Sequence, residues 1–222
     1  MASDHTFEIA EFFTSVKGEG IMAGIPMLFV RMAGCNVPCG WCDTDFEKKI
    51  EMDEDAMFDY IRCQAPAWVV FTGGEPTLQP LTPLCRRLMV LGIKLMIESN
   101  GTNDHKMFHC MDHIAISPKG SAGVNARLVD RLTGMVTKPG SKTVAPTIEQ
   151  RFLIMNKNDD RWITGLESIS VLTFSPLARG SRGYPLIDPE SDCLERCLEL
   201  VQNYRHEGAR LSVQVHKLIG VK

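Results

Sequence analysis

Cys35, Cys39 and Cys42 stand in the stretch Gly34-Cys-Asn-Val-Pro-Cys-Gly-Trp-Cys-Asp-Thr44, with the spacing C-x3-C-x2-C. No fourth cysteine lies near; the next, Cys63, falls in a helical pattern. Thiolates are soft ligands that suit zinc or iron–sulfur clusters. A structural zinc ion is closed by four protein ligands. A [4Fe–4S] cluster held by only three thiolates instead leaves one iron open to a small molecule. The spacing therefore favours a reactive cluster over a structural staple. Two other readings stay open here: a zinc site completed by a distant histidine, and three inert core thiols. Gly34, Pro38 and Gly40 suit a loop that wraps a ligand, because Gly and Pro permit a tight backbone path.

The remaining cysteines, Cys63, Cys85, Cys110, Cys193 and Cys197, fall mostly among Leu, Met and Val, where a free thiol acts as a small hydrophobe. Cys193 and Cys197 are one helical turn apart, but no His or carboxylate completes an obvious metal set with them. Nothing suggests a secreted disulfide framework.

The second chemical feature is Thr72-Gly-Gly-Glu-Pro76. Gly73 and Gly74 let the backbone approach a ligand without a Cβ in the way. Glu75 offers a carboxylate for an ammonium group. Alone this is common turn chemistry; after a buried strand and downstream of the cysteine triplet it carries more weight.

The elements that must position these residues are legible as recurring apolar runs. Met27–Met32, Trp68–Phe71, Lys94–Glu98, His113–Ser117, Phe152–Met155, Ile169–Thr173 and Leu211–Val215 read as strands. Several are almost continuously apolar, as in a parallel sheet buried on both faces. Helical patterns lie between them, at Glu54–Cys63, at Leu81–Leu91 with Gly92 as C-cap, and from Pro189 to about His206. Asp188 caps the last of these and Pro189 opens it. Leu194, Cys197, Leu198 and Val201 are its expected buried stripe. The segment 120–150 reads as a helix followed by an exposed loop. Alternating strands and helices predict an α/β fold with parallel strands, and the length suits a single domain over 1–222.

The motifs fall at strand ends: Gly34 to Thr44, Thr72 to Pro76, Ser99-Asn-Gly101, Ser117-Pro-Lys119, Ser175-Pro176 and His216-Lys217. In parallel α/β architectures the groups beyond the carboxyl ends of strands form the active site. Net charge is −3, which implies no general affinity for nucleic acid. No apolar run reaches membrane-spanning length, and Met1-Ala-Ser-Asp-His-Thr-Phe-Glu8 has neither the basic nor the apolar part of a signal peptide. The cytoplasm is the expected location.

The cysteine triplet with Gly-Gly-Glu resembles the radical S-adenosylmethionine (SAM) superfamily. A narrower likeness follows from Glu11-Phe-Phe-Thr-Ser-Val-Lys-Gly-Glu-Gly20, Phe29-Val-Arg-Met-Ala-Gly-Cys35 and Trp41-Cys-Asp-Thr44. It continues through Phe71-Thr-Gly-Gly-Glu-Pro76, Ile97-Glu-Ser-Asn-Gly-Thr102, Ile116-Ser-Pro-Lys119 and Leu211-Ser-Val-Gln-Val-His-Lys217. In this order the motifs resemble the 7-carboxy-7-deazaguanine synthase family, from about Phe7 to Gly220, with poor likeness between Ala122 and Ile163.

The resemblance implies a partial (β/α)6-type radical SAM barrel with mostly parallel strands. It implies conversion of 6-carboxy-5,6,7,8-tetrahydropterin to 7-carboxy-7-deazaguanine with loss of ammonia, with a [4Fe–4S] cluster, SAM and Mg2+. One-electron reduction would cleave SAM to a 5′-deoxyadenosyl radical that takes hydrogen from C6 of the pterin. Cys35, Cys39 and Cys42 would hold the cluster, and Thr44 would give an oxygen to Mg2+. Gly74, Glu75, Ser99, Ser117, Pro118, Lys119, Ser175, Pro176, Leu177 and Ala178 would line the SAM site. Val16, Lys17, Gly18, Glu19, Arg31, Thr72 and His216 would contact substrate, with Arg31 and His216 on its carboxylate and Glu19 on its N–H edge. An external reductant such as flavodoxin and a homodimer are implied; a direct nucleic acid or membrane partner is not. Another radical SAM enzyme, such as a glycyl-radical activating enzyme, and a zinc-binding interaction module are the alternatives. Two departures stand out. Lys17 replaces the family's usual Gln, a cation that could pair with the substrate carboxylate, and Ser175-Pro176 replaces Gln-Pro.

Overall fold

The computed structural model describes residues 5–42, 44–45, 49–119, 123–137, 145–155, 166, 168–176 and 192–221. Its strands are β1 (Thr6–Val16), β2 (Pro26–Met32), β3 (Ile50–Asp53), β4 (Trp68–Gly73), β5 (Lys94–Ser99), β6 (His113–Ile116), β7 (Thr147–Ile154), β8 (Val171–Pro176) and β9 (Arg210–Leu211). Its α-helices are α1 (Glu54–Gln64), α2 (Thr82–Val90), α3 (Ala126–Thr137), α4 (Asp192–Asn203) and α5 (Val215–Leu218). The strands form one sheet in the order β3-β1-β2-β4-β5-β6-β7-β8-β9. From β2 to β9 every neighbouring pair is parallel, whereas β1 runs antiparallel to both β2 and β3.

The two faces of the sheet follow the period-2 alternation of a strand. Leu28, Val30 and Met32 of β2, Val69 and Phe71 of β4, and Leu95 and Ile97 of β5 pack with Met57 and Ile61 of α1, Leu84 and Leu88 of α2, and Leu128 and Leu132 of α3. The intervening residues Met27, Phe29, Val70, Met96 and Ala115 form a second cluster with Phe13, Met22, Ile25 and Trp68. Near the carboxyl ends of the strands that second face turns polar. Phe29 is followed two residues on by Arg31, Val70 by Thr72 and Met96 by Glu98.

Local signals set the helix boundaries. Asp53 caps α1 by accepting from the Ala56 N–H at 2.7 Å, with Glu54 and Asp55 in the first turn where the helix dipole favours acids. Gly92 follows α2 with φ 74°, as its reading as a C-cap requires. The expected stripe of α4 needs one correction. Leu198 is 49% exposed, and Leu200 takes the buried place beside Cys197 against Phe152, Ile154, Leu172 and Phe174. The expected caps Asp188 and Pro189 lie outside the described residues.

Four elements differ from the sequence reading. β1 and β3 form strands where none is expected. The expected strand Leu211–Val215 is a two-residue strand, Arg210–Leu211, and the chain then turns into α5. β7 begins at Thr147, inside the segment read as loop; α3 is the helix expected before it.

Candidate active site

The polar end of the second face opens into a cavity of about 380 Å3, within the usual range for small-molecule sites. Cys35, Cys39 and Cys42 all line it, with Val37, Trp41 and Thr44 of the same loop. Gly73 and Gly74 line it from the end of β4, Ser99 and Asn100 from β5, and Ser117 and Lys119 from β6. Val16, Lys17, Gly18 and Glu19 line the side formed by the end of β1, opposite Gln214 and His216. Phe13 and Phe29 add an apolar part, their rings stacked at 4.7 Å.

The cysteine loop is seated on the glycine turn. The Glu75 N–H donates to the Gly34 carbonyl at 2.8 Å, and the Gly74 N–H donates to the Met32 carbonyl at 2.9 Å. A Cβ at residue 74 would lie 1.8 Å from the Gly34 oxygen, so only glycine allows this approach. Glu75 itself is fully buried. Its carboxylate accepts from the backbone N–H of Thr77 at 3.0 Å, Ser99 Oγ at 2.9 Å and the Asn100 N–H at 2.7 Å. The carboxylate thus ties the β4 and β5 ends together, and it is the two glycines before it that line the cavity.

Lys119 Nζ donates to Ser117 Oγ at 2.8 Å and lies 5.2 Å from the centre of the Trp41 ring. Burial holds its ammonium below the usual lysine range, opposed by Cys39 and Glu19. Burial likewise pushes the Cys39 thiol up, against the field of Lys119.

The first strand's loop is closed by the residues after β9. The Val215 N–H donates to the Gly18 carbonyl at 2.8 Å, and the Gly20 N–H to Ser212 Oγ at 2.8 Å. Gln214 Nε2 donates to Glu19 Oε1 at 2.8 Å. The His216 ring lies directly on Gly18, where an added Cβ would come within 1.7 Å of Nδ1. Burial lowers the His216 pKa against the field of Glu19 and so favours the neutral imidazole.

The charged groups pair in a way the sequence did not disclose. Lys17 is buried, 4% exposed, and its Nζ lies 2.9 Å from Glu98 Oε1. Arg151 Nη1 reaches the same oxygen at 2.6 Å, and Thr72 Oγ1 donates to Oε2 at 2.7 Å. Burial alone would raise the Glu98 carboxyl, but Lys17 and Arg151 outweigh it and hold it well below the carboxylate range. Behind it, Glu149 is fully buried and meets His113 Nε2 at 3.2 Å, Thr173 Oγ1 at 2.8 Å and Arg151 Nε at 3.2 Å. Burial is opposed there by Arg151 and these hydrogen bonds, which bring its pKa down to about 2. Arg31 pairs with Glu11 at 3.1 Å and lies over the Phe13 ring.

Of the predicted site residues, Pro118, Ser175 and Pro176 are buried and do not line the cavity. Ser175 Oγ donates to the Ser212 carbonyl at 2.8 Å. Leu177 and Ala178 lie outside the described residues. Sequence reasoning missed Glu98, Asn100, Arg151 and Gln214 as cavity-lining residues. Glu98 and Arg151 carried a usable signal, since each is a charged residue on a strand at the same parity as buried neighbours.

No protein-family model matches the chain. Among curated proteins it is 33% identical, over 96% of its length and 96% of theirs, to the 7-carboxy-7-deazaguanine synthase of Koribacter versatilis. It is 29% identical to that of Rickettsia prowazekii, over 97% of this chain and 88% of the relative. The fold superposes on the crystal structure of QueE from Escherichia coli with a TM-score of 0.68, covering 95% of each chain at 22% identity. Full-length identity at this level agrees with a cavity on which the cysteine loop, the glycine turn and the Lys17–His216 wall meet, and the chain belongs to the 7-carboxy-7-deazaguanine synthase family.

Proposed function

We propose that this protein is a radical SAM enzyme, a carbon–nitrogen lyase, that converts 6-carboxy-5,6,7,8-tetrahydropterin to 7-carboxy-7-deazaguanine with loss of ammonia. The observation that carries this reading is the convergence of three cysteines and two substrate-facing walls on one cavity at the carboxyl ends of parallel strands. The residues suit the cofactors. Three thiols share one wall, and Gly73 and Gly74 line the cavity beside them.

Cys35, Cys39 and Cys42 would hold the [4Fe–4S] cluster, and Gly74, Ser99, Ser117 and Lys119 would hold SAM. Bound there, the pair supplies one-electron radical chemistry. Glu75 fixes the glycine turn against Ser99 and Asn100, so the SAM-facing backbone is held in place before any ligand arrives. Trp41, Val37, Phe13 and Phe29 exclude water on the sides that lack polar groups. Arg31 and the neutral His216 would grip the substrate carboxylate, one by charge and one as an N–H donor. Glu19 would accept from the N–H edge of the pterin. Its Oε1 is steadied by Gln214, and Oε2, 3.9 Å from Arg151 Nε, keeps lone pairs with which to accept. Thr44, on the same wall as the cysteines, would give an oxygen to Mg2+. The departure at Lys17 is balanced by Glu98, so that cation serves the wall rather than the substrate carboxylate. A single radical SAM domain, a homodimer, a cytoplasmic location and a flavodoxin-type reductant complete the proposal. Among the described residues no helix is long and apolar enough to cross a membrane.

Anaerobic reconstitution tests this directly. The expected product is a brown protein with about four irons that, given reductant, SAM and 6-carboxytetrahydropterin, yields 7-carboxy-7-deazaguanine by mass. A colourless protein that takes up zinc and does not bind SAM would overturn it. Cys39→Ala is expected to abolish both iron loading and turnover; full iron content in that variant would refute the ligand assignment.

A further inference from the structure

The cysteine loop is held at a second point, apart from the glycine turn, by a ring of side chains that no role above uses. Asn36, between Cys35 and Val37, is exposed, yet both ends of its carboxamide are engaged. Its Nδ2 donates to Thr102 Oγ1 at 2.8 Å, and its Oδ1 accepts from Asn100 Nδ2 at 2.9 Å. Thr102 closes the ring, its N–H and its hydroxyl donating to Asn100 Oδ1 at 2.9 and 2.7 Å. Asn100 is only 5% exposed, and its N–H is the donor to Glu75 at 2.7 Å, so the ring stands on the end of β5. Asn125, just before α3, steadies it from outside by donating from Nδ2 to the Thr102 carbonyl at 3.1 Å.

The turn from Cys35 to Val37 is what this ring fixes. There the Val37 N–H donates to Cys35 Sγ at 3.5 Å, and Sγ lies 3.6 Å from the Val37 carbonyl. As a thiol, Cys35 can use either contact. As a metal-bound thiolate it has no proton to give and keeps only the N–H. A donor on a ligating sulfur stabilises the negative charge that arrives with an electron, and hydrogen bonds to the sulfurs are among the terms that set a cluster's potential. Asn36 is the single residue between sulfur and donor, and its side chain is tied at both ends to β5. We propose that Asn36 is a positioning residue for reduction of the cluster: anchored by Asn100 and Thr102, it keeps the Val37 N–H on Cys35 Sγ and so raises the potential. This rests on the cluster reading above.

The test uses the reconstituted holoenzyme without SAM and follows the ratio of reduced to oxidised cluster by electron paramagnetic resonance through a redox titration. The ratio is taken on the clusters that load, so iron content does not enter it. Asn36→Ala should lower the ratio about threefold to tenfold at a fixed poise, a tenfold fall being about 59 mV for one electron. Thr102→Val removes the hydroxyl partner from outside the loop and should shift the ratio the same way; Thr102→Ser keeps the hydroxyl and should restore the wild-type ratio. Lower iron content or melting temperature with an unchanged ratio would show a merely structural tie and overturn the proposal. Where Asn36→Ala loads no cluster, the Thr102 pair decides: a lower ratio in Thr102→Val than in Thr102→Ser supports the proposal, and equal ratios refute it. A wild type that stays colourless would sink the cluster reading and this assignment together, whereas a wild type whose cluster titrates and whose variants match it would sink this assignment alone.

Discussion

Lys17 shows how one side chain's meaning depends on what stands across from it. Met in isolation, a lysine in a substrate-facing loop invites pairing with the substrate's acid; here its charge is already spent on Glu98. Lys17→Gln is therefore expected to leave Glu98 with Arg151 as its sole cationic partner among the described residues. Substrate KM should shift by a few-fold while iron content stays at the wild-type level. Loss of iron in that variant would show that the loop serves the cluster instead. Glu149 makes a second prediction at this scale. Its pKa is depressed to about 2 from an ordinary carboxylate value. Its contribution is therefore fully present above about pH 5 and is lost as pH falls toward 2, with a ceiling of about 3 kcal/mol. The melting temperature of Glu149→Gln should be lower than wild type at pH 7, and the gap should close as the buffer is taken toward pH 3. A gap that does not change with pH would mean that the carboxylate's charge is not what stabilises the fold there.

At the scale of elements, the glycine turn after β4 does two tasks, supporting the cysteine loop through Gly34 and facing the cavity. Gly74→Ala places a methyl group 1.8 Å from the Gly34 oxygen, so the turn and the loop must separate. The expected result is protein that folds with near-normal circular dichroism but loads less than half the wild-type iron; full loading would refute the coupling. The parallel strands β2, β4, β5, β6 and β8 were legible because each is a short apolar run bounded by turn residues. α1 was legible as a helical pattern, and α2 also through Gly92 as its C-cap. β1 was not, because Thr6–Val16 mixes acids, Thr and Phe on a strand whose inner face is only partly buried. β9 was over-read, because Leu211-Ser-Val-Gln-Val215 alternates as a strand does while its backbone is committed to the loop before it. The cysteine loop, Gly74, Lys119 and His216 were legible by motif. Glu98 closed the run Lys94–Glu98 and Arg151 stood just before the run Phe152–Met155, so neither was read as a site residue, although their parity places them with Thr72 and Arg31 on the cavity face.

At the scale of the molecule, the cavity is built from sequence-distant parts: a cysteine and glycine side from residues 34–119, and a side made by residues 16–20 with 212–216. The second side has little slack, since Gly18 has no room for a side chain beneath His216. Gly18→Ala should raise the substrate KM at least tenfold with iron content and SAM binding retained. Equal KM would show that the two segments are free to separate. This division also sets an order of assembly on the ribosome. The metal-holding part can be complete when little more than half of the chain has emerged, whereas the loop near the start, held until then through Lys17, must wait for residues some two hundred positions downstream for the contacts of Gly18 and Gly20 with Val215 and Ser212. A nascent chain would thus become competent for iron first and for its pterin last, and reactive chemistry would stay uncommitted until synthesis is nearly done.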